Sequence, residues 1–254
     1  QGTLASGVIP YNVLEPVLTE GDCVFLHPKD LFCDPICGGG ETCDESGNCI
    51  PYPTNIDVGT LTISGLSTSI TMDPIIPSLI YYFSGDIPHP GFETGDAIEL
   101  LSSGTETIDP FSMQAYGVTE LEVSQLEMDL AFDQPSMLEW TPSTSEVDRR
   151  IQVVVNIANH GGTPARIECE VFDTGSLEIP TDIVNALLNV GYSGFPSVKL
   201  TRLSADTTTI ANGCIDFTVL SSVTLPVDIP GLTSCSSDDD CPKGESCLSD
   251  LTCG

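Results

Sequence analysis

Ile151-Gln152-Val153-Val154-Val155-Asn156-Ile157 is the stretch whose reading decides the fold class. Ile151, Val153, Val155 and Ile157 fall on one side of an extended chain. This is the two-residue period of a strand that packs on a core by one face. β-branched residues suit such a pleated, half-buried surface. Working outward, Arg166–Phe172 follows as a second strand. In Ser197–Leu203, Val198, Leu200 and Arg202 alternate with Lys199, Thr201 and Leu203. Further short runs are Gly59–Ile63, Leu79–Phe83, Ala97–Leu101, Leu121–Val123, Met128–Phe132 and Ile215–Val223, separated by Gly, Pro, Asp and Ser. Many short strands at this spacing predict an all-β chain, with a β-sandwich or jelly-roll-like central domain over residues 52–233. One short helix is expected after Pro180. Thr181 or Asp182 caps it, and Ile183, Leu187, Leu188 and Val190 form its apolar stripe before Gly191.

The cysteines frame this domain. Cys37-Gly-Gly-Gly-Glu-Thr-Cys43 is followed by Cys49, and Cys241-Pro-Lys-Gly-Glu-Ser-Cys247 by Cys253. Both read C-x2-G-E-[S/T]-C-x5-C, and each has one cysteine upstream, Cys33 and Cys235. Segments this short bury too little apolar surface to fold unaided. Two bridges each, at roughly 2–4 kcal/mol per bridge, compensate. Gly40 and Gly244 stand where a tight turn wants a positive φ. Of the three connectivities open to four cysteines, the crossed one makes the most compact knot. It pairs Cys33 with Cys43, Cys37 with Cys49, Cys235 with Cys247, and Cys241 with Cys253. Zinc is the competing use, but structural zinc sites favour ligand pairs two to four residues apart, and most gaps here are longer. The chain thus divides into an arm (residues 1–22), a Cys-rich module (23–51), the central domain and a second module (234–254). The modules resemble the short C-x5-C-P-x-G-x-x-C-x5-C repeats of secreted and surface proteins of myxobacteria. That resemblance covers about forty residues at the two ends and implies an exterior location, not an activity.

The 254 residues carry 37 acidic and 7 basic side chains, a formal charge of −30. Phosphate backbones are repelled by such a chain, which excludes nucleic acid as a partner. No apolar run reaches the length of a membrane span. Gln1 in place of Met reads as a mature product whose leader has been removed. Eleven cysteines point to an oxidising compartment, so the protein is expected to be secreted, extracellular or on the cell surface. The acidity serves solubility or cation binding. Calcium is the cofactor it points to, with Asp238, Asp239 and Asp240 as ligands beside the C-terminal module, and Asp44 and Glu45 within the N-terminal one.

Val171-Phe172-Asp173-Thr174-Gly175-Ser176 is similar to the active-site signature of pepsin-like aspartic proteases. The continuation through Ile179-Pro180 into a helix is similar as well. That chemistry needs two carboxylates sharing a proton, and the chain has no second D-[S/T]-G; Asp206-Thr207-Thr208 lacks the glycine. Asp173 is therefore expected to be a turn former. The three histidines, His27, His89 and His160, are scattered among predicted loops, and no G-x-S-x-G occurs. No residue is assigned a catalytic role. Trp140 and the tyrosines are expected to fill core or interface.

Two features point to assembly. The arm is apolar and nearly uncharged: Val8, Ile9, Val13, Leu14, Val17 and Leu18 ask for cover, either along the protein's own sandwich or as a strand added to the next subunit. Pro10 and Pro16 limit it to edge pairing or two short pieces. Cys169 and Cys214, both in predicted strands, are expected to pair with each other. Cys23 is then left over, available for an intermolecular bond. The expected function is a non-enzymatic structural subunit that self-assembles into an extracellular filament or surface layer. The alternative is an adhesin or carbohydrate-binding module, calcium-dependent or not, and an aspartic-protease-like hydrolase comes third.

Overall fold

The structure is a computed structural model that describes residues 3–10, 13–145, 150–157, 165–210 and 213–254. The chain begins with β1 (Leu14–Glu20) and β2 (Cys23–Pro28), then β3 (Glu41–Cys43) and β4 (Cys49–Pro51). Next come β5 (Leu61–Ser64), β6 (Ile70–Met72), β7 (Pro74–Ile75), β8 (Ile80–Tyr81), β9 (Ala97–Ser102) and β10 (Phe111–Tyr116). β11 (Met128–Asp129), β12 (Ser136–Glu139), β13 (Arg150–Asn156), β14 (Arg166–Phe172) and β15 (Ser176–Ile179) follow. The helix α1 (Thr181–Leu188) and two long strands, β16 (Ser197–Ile210) and β17 (Gly213–Asp228), complete the domain. The chain is all-β with one short helix and two small disulfide modules, as the patterning predicts.

A seven-stranded sheet runs β1-β2-β14-β13-β16-β17-β11. Its registers align inward-facing side chains in rows across the strands. Phe25, Ile167, Val155, Val198 and Leu225 make one row; Cys23, Cys169, Val153, Leu200 and Val223 make the next; Val171, Ile151 and Arg202 make the third. The first two rows are the floor of the main core. Its cover is α1, through Ile183, Val184, Leu187 and Leu188, together with the β12–β15 ribbon, through Leu138, Leu177 and Ile179. The helix begins at Thr181, but its N-cap is Pro180 and no side chain caps it, so Thr181 and Asp182 do not take the capping role. Burial of its apolar stripe holds it instead.

A second sheet, β10-β9-β5-β6, stands apart from the first. β13 pairs with β16 only as far as Arg202. Beyond that point β16 and β17 continue as a two-stranded hairpin that packs on the second sheet, where Phe217 and Val219 meet Ile98 and Ala115. The amides of Gln114 and Tyr116 on the edge strand β10 donate to Asp206 Oδ2 (2.9 Å) and Ser204 Oγ (3.0 Å) of β16. Leu121–Val123 is not a strand. Its region's polar groups go to side chains instead: Leu121 N donates to Ser221 Oγ (3.0 Å), and the Glu120 carbonyl accepts from Arg202. The run predicted over Met128–Phe132 is a strand only at β11.

Candidate functional site

Asp173 is enclosed by side chains and amides of its own chain. It stands just after β14, in the turn to β15, where Gly175 takes a φ of 98° and its carbonyl accepts from Trp140 N (2.9 Å). The Asp173 side chain is 2% exposed and that of Arg202 1%. Arg202 Nε donates to Asp173 Oδ2 at 2.9 Å, Trp140 Nε1 to Oδ1 at 2.7 Å, and Ser143 N to Oδ2 at 3.1 Å. The rest of the guanidinium is used as well: Nη1 donates to the Glu120 and Thr119 carbonyls (2.9 and 3.3 Å), and Nη2 to the Thr141 carbonyl (2.8 Å). A carboxylate so held has a permanent cation for a partner, not a second carboxyl with which to share a proton. Asp173 is more than a turn former. It is one half of a buried ion pair that ties three chain segments to β16 where the hairpin leaves the large sheet. The sequence carried a signal for this: Arg202 shares the inward parity of Val198 and Leu200, and a buried guanidinium needs a carboxylate. His27 lies on β2 with Nδ1 2.8 Å from the Pro28 carbonyl, His89 precedes Pro90, and His160 falls outside the described residues.

The two end modules have the expected crossed bridges: Cys33–Cys43, Cys37–Cys49, Cys235–Cys247 and Cys241–Cys253. They share several backbone hydrogen bonds, although Cys33–Cys43 spans 10 residues and Cys235–Cys247 spans 12. Asp44 N donates to the Asn48 carbonyl and Gly47 N to Asp44 O, just as Leu248 N donates to Thr252 O and Leu251 N to Leu248 O. Glu41 N to Gly38 O matches Glu245 N to Pro242 O. Gly40 (φ 92°) and Gly244 (φ 101°) take the left-handed region at the predicted turn. At the second turn Gly47 (φ 77°) is matched by Leu251 (φ 61°). The Sγ atoms of Cys33, Cys37 and Cys49, and of Cys235, Cys241 and Cys253, lie within 4.8 Å of one another. This clustering follows from two stacked bridges in each module.

Asp44, Asp238 and Asp240 face the chain's own amides, and Glu45 lies 3.6 Å from Lys29 Nζ. Asp44 Oδ1 accepts from Ser46 N (2.9 Å) and Asn48 N (2.7 Å), and the Asn48 amide above all holds its carboxyl below the usual range. Asp240 Oδ2 accepts from Ser236 N (2.8 Å) and Ser237 N (3.0 Å), with the same downward effect. Asp238 Oδ1 accepts from Cys247 N at 2.8 Å, Asp239 is exposed, and the three aspartates form one 3-10 turn.

The expected Cys169–Cys214 bridge does not form. Cys23 pairs with Cys169, and Cys214 is the free, exposed cysteine. Strand parity explains the exchange. Cys169 shares the inward face of Ile167 and Val171, and Cys23 the inward face of Phe25, directly opposite across the β2–β14 ladder with Cα atoms 4.1 Å apart. Cys214 precedes the inward-turned Ile215, Phe217 and Val219, so it points away from the core. Cys23 therefore has no sulfur to offer another chain, and the odd thiol sits instead at the base of the hairpin tip.

The arm is not one free unit. Leu14, Val17 and Leu18 belong to β1, which pairs antiparallel with β2 as an edge strand of the large sheet and shifts register between Pro16 and Leu18. Leu18 packs on the main core, whereas Val13 and Val17 stay largely exposed. Closer to the start of the chain, Leu4 packs against a second core cluster that includes Val58, Leu61 and Tyr81. The Leu4 carbonyl accepts from Ile56 N (2.8 Å), Ser6 N donates to Thr54 O (2.9 Å), and Thr54 N donates to Ser6 Oγ (3.1 Å). Ile9 is half-buried, and Val8 is 72% exposed. Thr3 and Leu4 run between two open spaces. One, of about 390 Å3, is lined by Leu61, Ile63, Ile70, Met72, Tyr81 and Phe83. The other, of about 200 Å3, is lined by Ile56, Ile210, Ile215 and Cys214. Burial pushes the Tyr81 phenol up, and its oxygen accepts from Val58 N (3.0 Å) and donates to Gly59 O (3.0 Å), so it offers the first space no free polar group.

No protein-family model matches the chain, and no curated protein matches it significantly. Among the described residues, no helix is long and apolar enough to cross a membrane.

Proposed function

We propose that this protein is a non-enzymatic structural subunit of an assembly outside the cell. The observation that carries the reading is the covalent frame. Five bridges clamp the second strand of the main sheet and both end modules, and the two modules are copies of one unit. Such a frame persists in an oxidising exterior and is reduced in a cytosol. The likeness of the end modules to those of myxobacterial surface proteins agrees with it, as does the commitment of Asp173 to Arg202. Electron microscopy and sedimentation of the native protein, with and without reductant, test the proposal. Ordered polymers at moderate salt are expected. A monomer at high concentration in moderate salt refutes it.

A second reading, a glycan-binding surface module, is favoured by one cavity of about 480 Å3 between β10 and the hairpin. Phe111 offers it a ring, and Asp109, Thr107, Ser112 and Thr208 offer carboxylate and hydroxyl oxygens. A glycan array that gives a binder lost on Phe111→Ala would support this reading over the first.

A further inference from the structure

We infer that residues 3–9 are an exchangeable arm, and that the groove which seats Leu4 accepts the same arm from a second copy of the chain. The inference rests on the assembly reading above and names the surface that assembly would use.

The groove is built by register. Leu61 lies opposite Met72 and Ile63 opposite Ile70, so β5 and β6 present four aliphatic side chains on one face. β6 is three residues long and forms the edge of its sheet, with nothing beyond it in the sheet order. Tyr81, Phe83 and Ile87 roof the groove, and no charged side chain lines it. The arm pairs by its backbone with residues 54–56, not with β6, and enters this apolar groove through Leu4, the way an extended segment with an anchoring side chain is held.

The occupant follows from charge and from what already sits there. Each copy carries −30, so most faces bring carboxylates towards carboxylates. The first charged side chain in the sequence is Glu15. The stretch before it is the part of the chain that can enter a second copy without adding to that repulsion. Its fit is visible in the protein's own arm, through Leu4, the Ala5–Asn55 bridge and the amide bonds around Thr54 and Ile56. Every one of these contacts can form equally well with an arm from another molecule, which is the condition for arm exchange.

The arm is also held lightly. Leu4 anchors it in the second core cluster, Ile9 is half-buried, few hydrogen bonds accompany them, and open space flanks Leu4 on both sides. A segment with so little burial opens at low cost, so the groove is vacated often enough to be shared.

Ile215 supplies the reporter. It shares the inward face of Ile210 on the hairpin and lines the smaller space together with Thr3 and Leu4, whereas Cys214 steps to the opposite face beside Thr209. The experiment uses full-length chain carrying Thr3→Cys, Ile215→Cys and Cys214→Ser, prepared as a 1:1 mixture of 15N-labelled and unlabelled chains. The mixture is oxidised with diamide under assembling conditions and mapped by mass spectrometry. The expected result is a position 3 to position 215 crosslink in which about half of the pairs carry mixed labels. Crosslinks without mixed labels overturn the exchange while leaving assembly standing. Assembly without this crosslink overturns the groove assignment. No assembly at all removes the functional reading and the inference together. Leu4→Asp, which spares β1 and every native bridge, should raise the concentration needed for assembly about tenfold or more. An unchanged concentration also counts against the groove.

Discussion

Asp173→Asn is the substitution that tests the buried ion pair most directly. It keeps the shape of the side chain and removes its charge. Arg202 then remains 1% exposed with no anion beside it. A guanidinium cannot escape by losing a proton. Breaking a buried pair from one side costs roughly 3–5 kcal/mol, because the other charge is stranded. The three backbone carbonyls that hold Arg202 soften the loss without cancelling it. The indole N–H of Trp140 can still donate to the Asn carbonyl oxygen, so that bond weakens from charge-assisted to neutral. For a chain of this size each kcal/mol is worth about 2–4 °C in Tm, so a drop of about 10 °C or more is expected. Urea titration followed by tryptophan fluorescence is a natural assay, since Trp140, the one tryptophan, touches the site. Arg202→Met combined with Asp173→Asn should recover part of the loss by removing the stranded charge. The reasoning is refuted if Asp173→Asn lies within about 1 kcal/mol of the parent protein. It is equally refuted if the parent cleaves peptides at acid pH and Asp173→Asn does not.

Three further outcomes follow from the structure. Replacing both Cys23 and Cys169 with Ser opens a loop of 146 residues and should cost up to about 5 kcal/mol in the chain-entropy picture, read by denaturant midpoint. Cys214→Ser should leave stability unchanged and abolish the one thiol that Ellman's reagent detects in unreduced, unfolded protein; two or more reactive thiols would contradict the bridge assignment. Acid should loosen the end modules from their carboxylates. The Asp44 and Asp240 pKa values are lowered in the folded protein, so their contribution is present above the ordinary carboxylate value and is lost as pH falls through the lowered one. Carboxyl titration by NMR should place both midpoints below about 3.9, with the amides of Asn48 and Ser236 shifting in step; a midpoint at or above that value rejects the turn-capping role.

The parts of the fold legible in the sequence were those governed by short-range rules. Strict alternation marked β13, and all four of its predicted core residues are buried. The cysteine spacing, with Gly40 and Gly244, specified both modules because compact closure of so few residues leaves little choice. What escaped was decided at long range. β2 does not alternate conspicuously, since Cys23, Phe25 and Leu26 are all buried and its mate is β14, far along the chain. Nothing local marked Cys23 as the partner of Cys169. Parity within each strand would have excluded Cys214, because a cysteine that steps out of phase with Ile215, Phe217 and Val219 cannot reach an inward-facing sulfur.

Arg202 shows how one unpaired polar signal can lead to an architecture. The chain has few basic side chains, and placing one inside a row of Ile151 and Val171 is costly unless it organises its surroundings. It does so at the residue where β13 ceases to pair with β16 and the hairpin turns to its second task. Below Arg202 the strands are sheet; beyond it they are the cover of another sheet, whose free edge and uncharged groove lie next to the arm. The ion pair and the groove are thus linked through one hairpin. A change that frees Asp173 from Arg202 should loosen the hairpin at its root, and with it the Ile210 and Ile215 wall of the arm's seat. Stability and assembly should therefore fall together in Asp173→Asn. Leu4→Asp should lower assembly alone, and that contrast separates a fault in the frame from a fault in the joint.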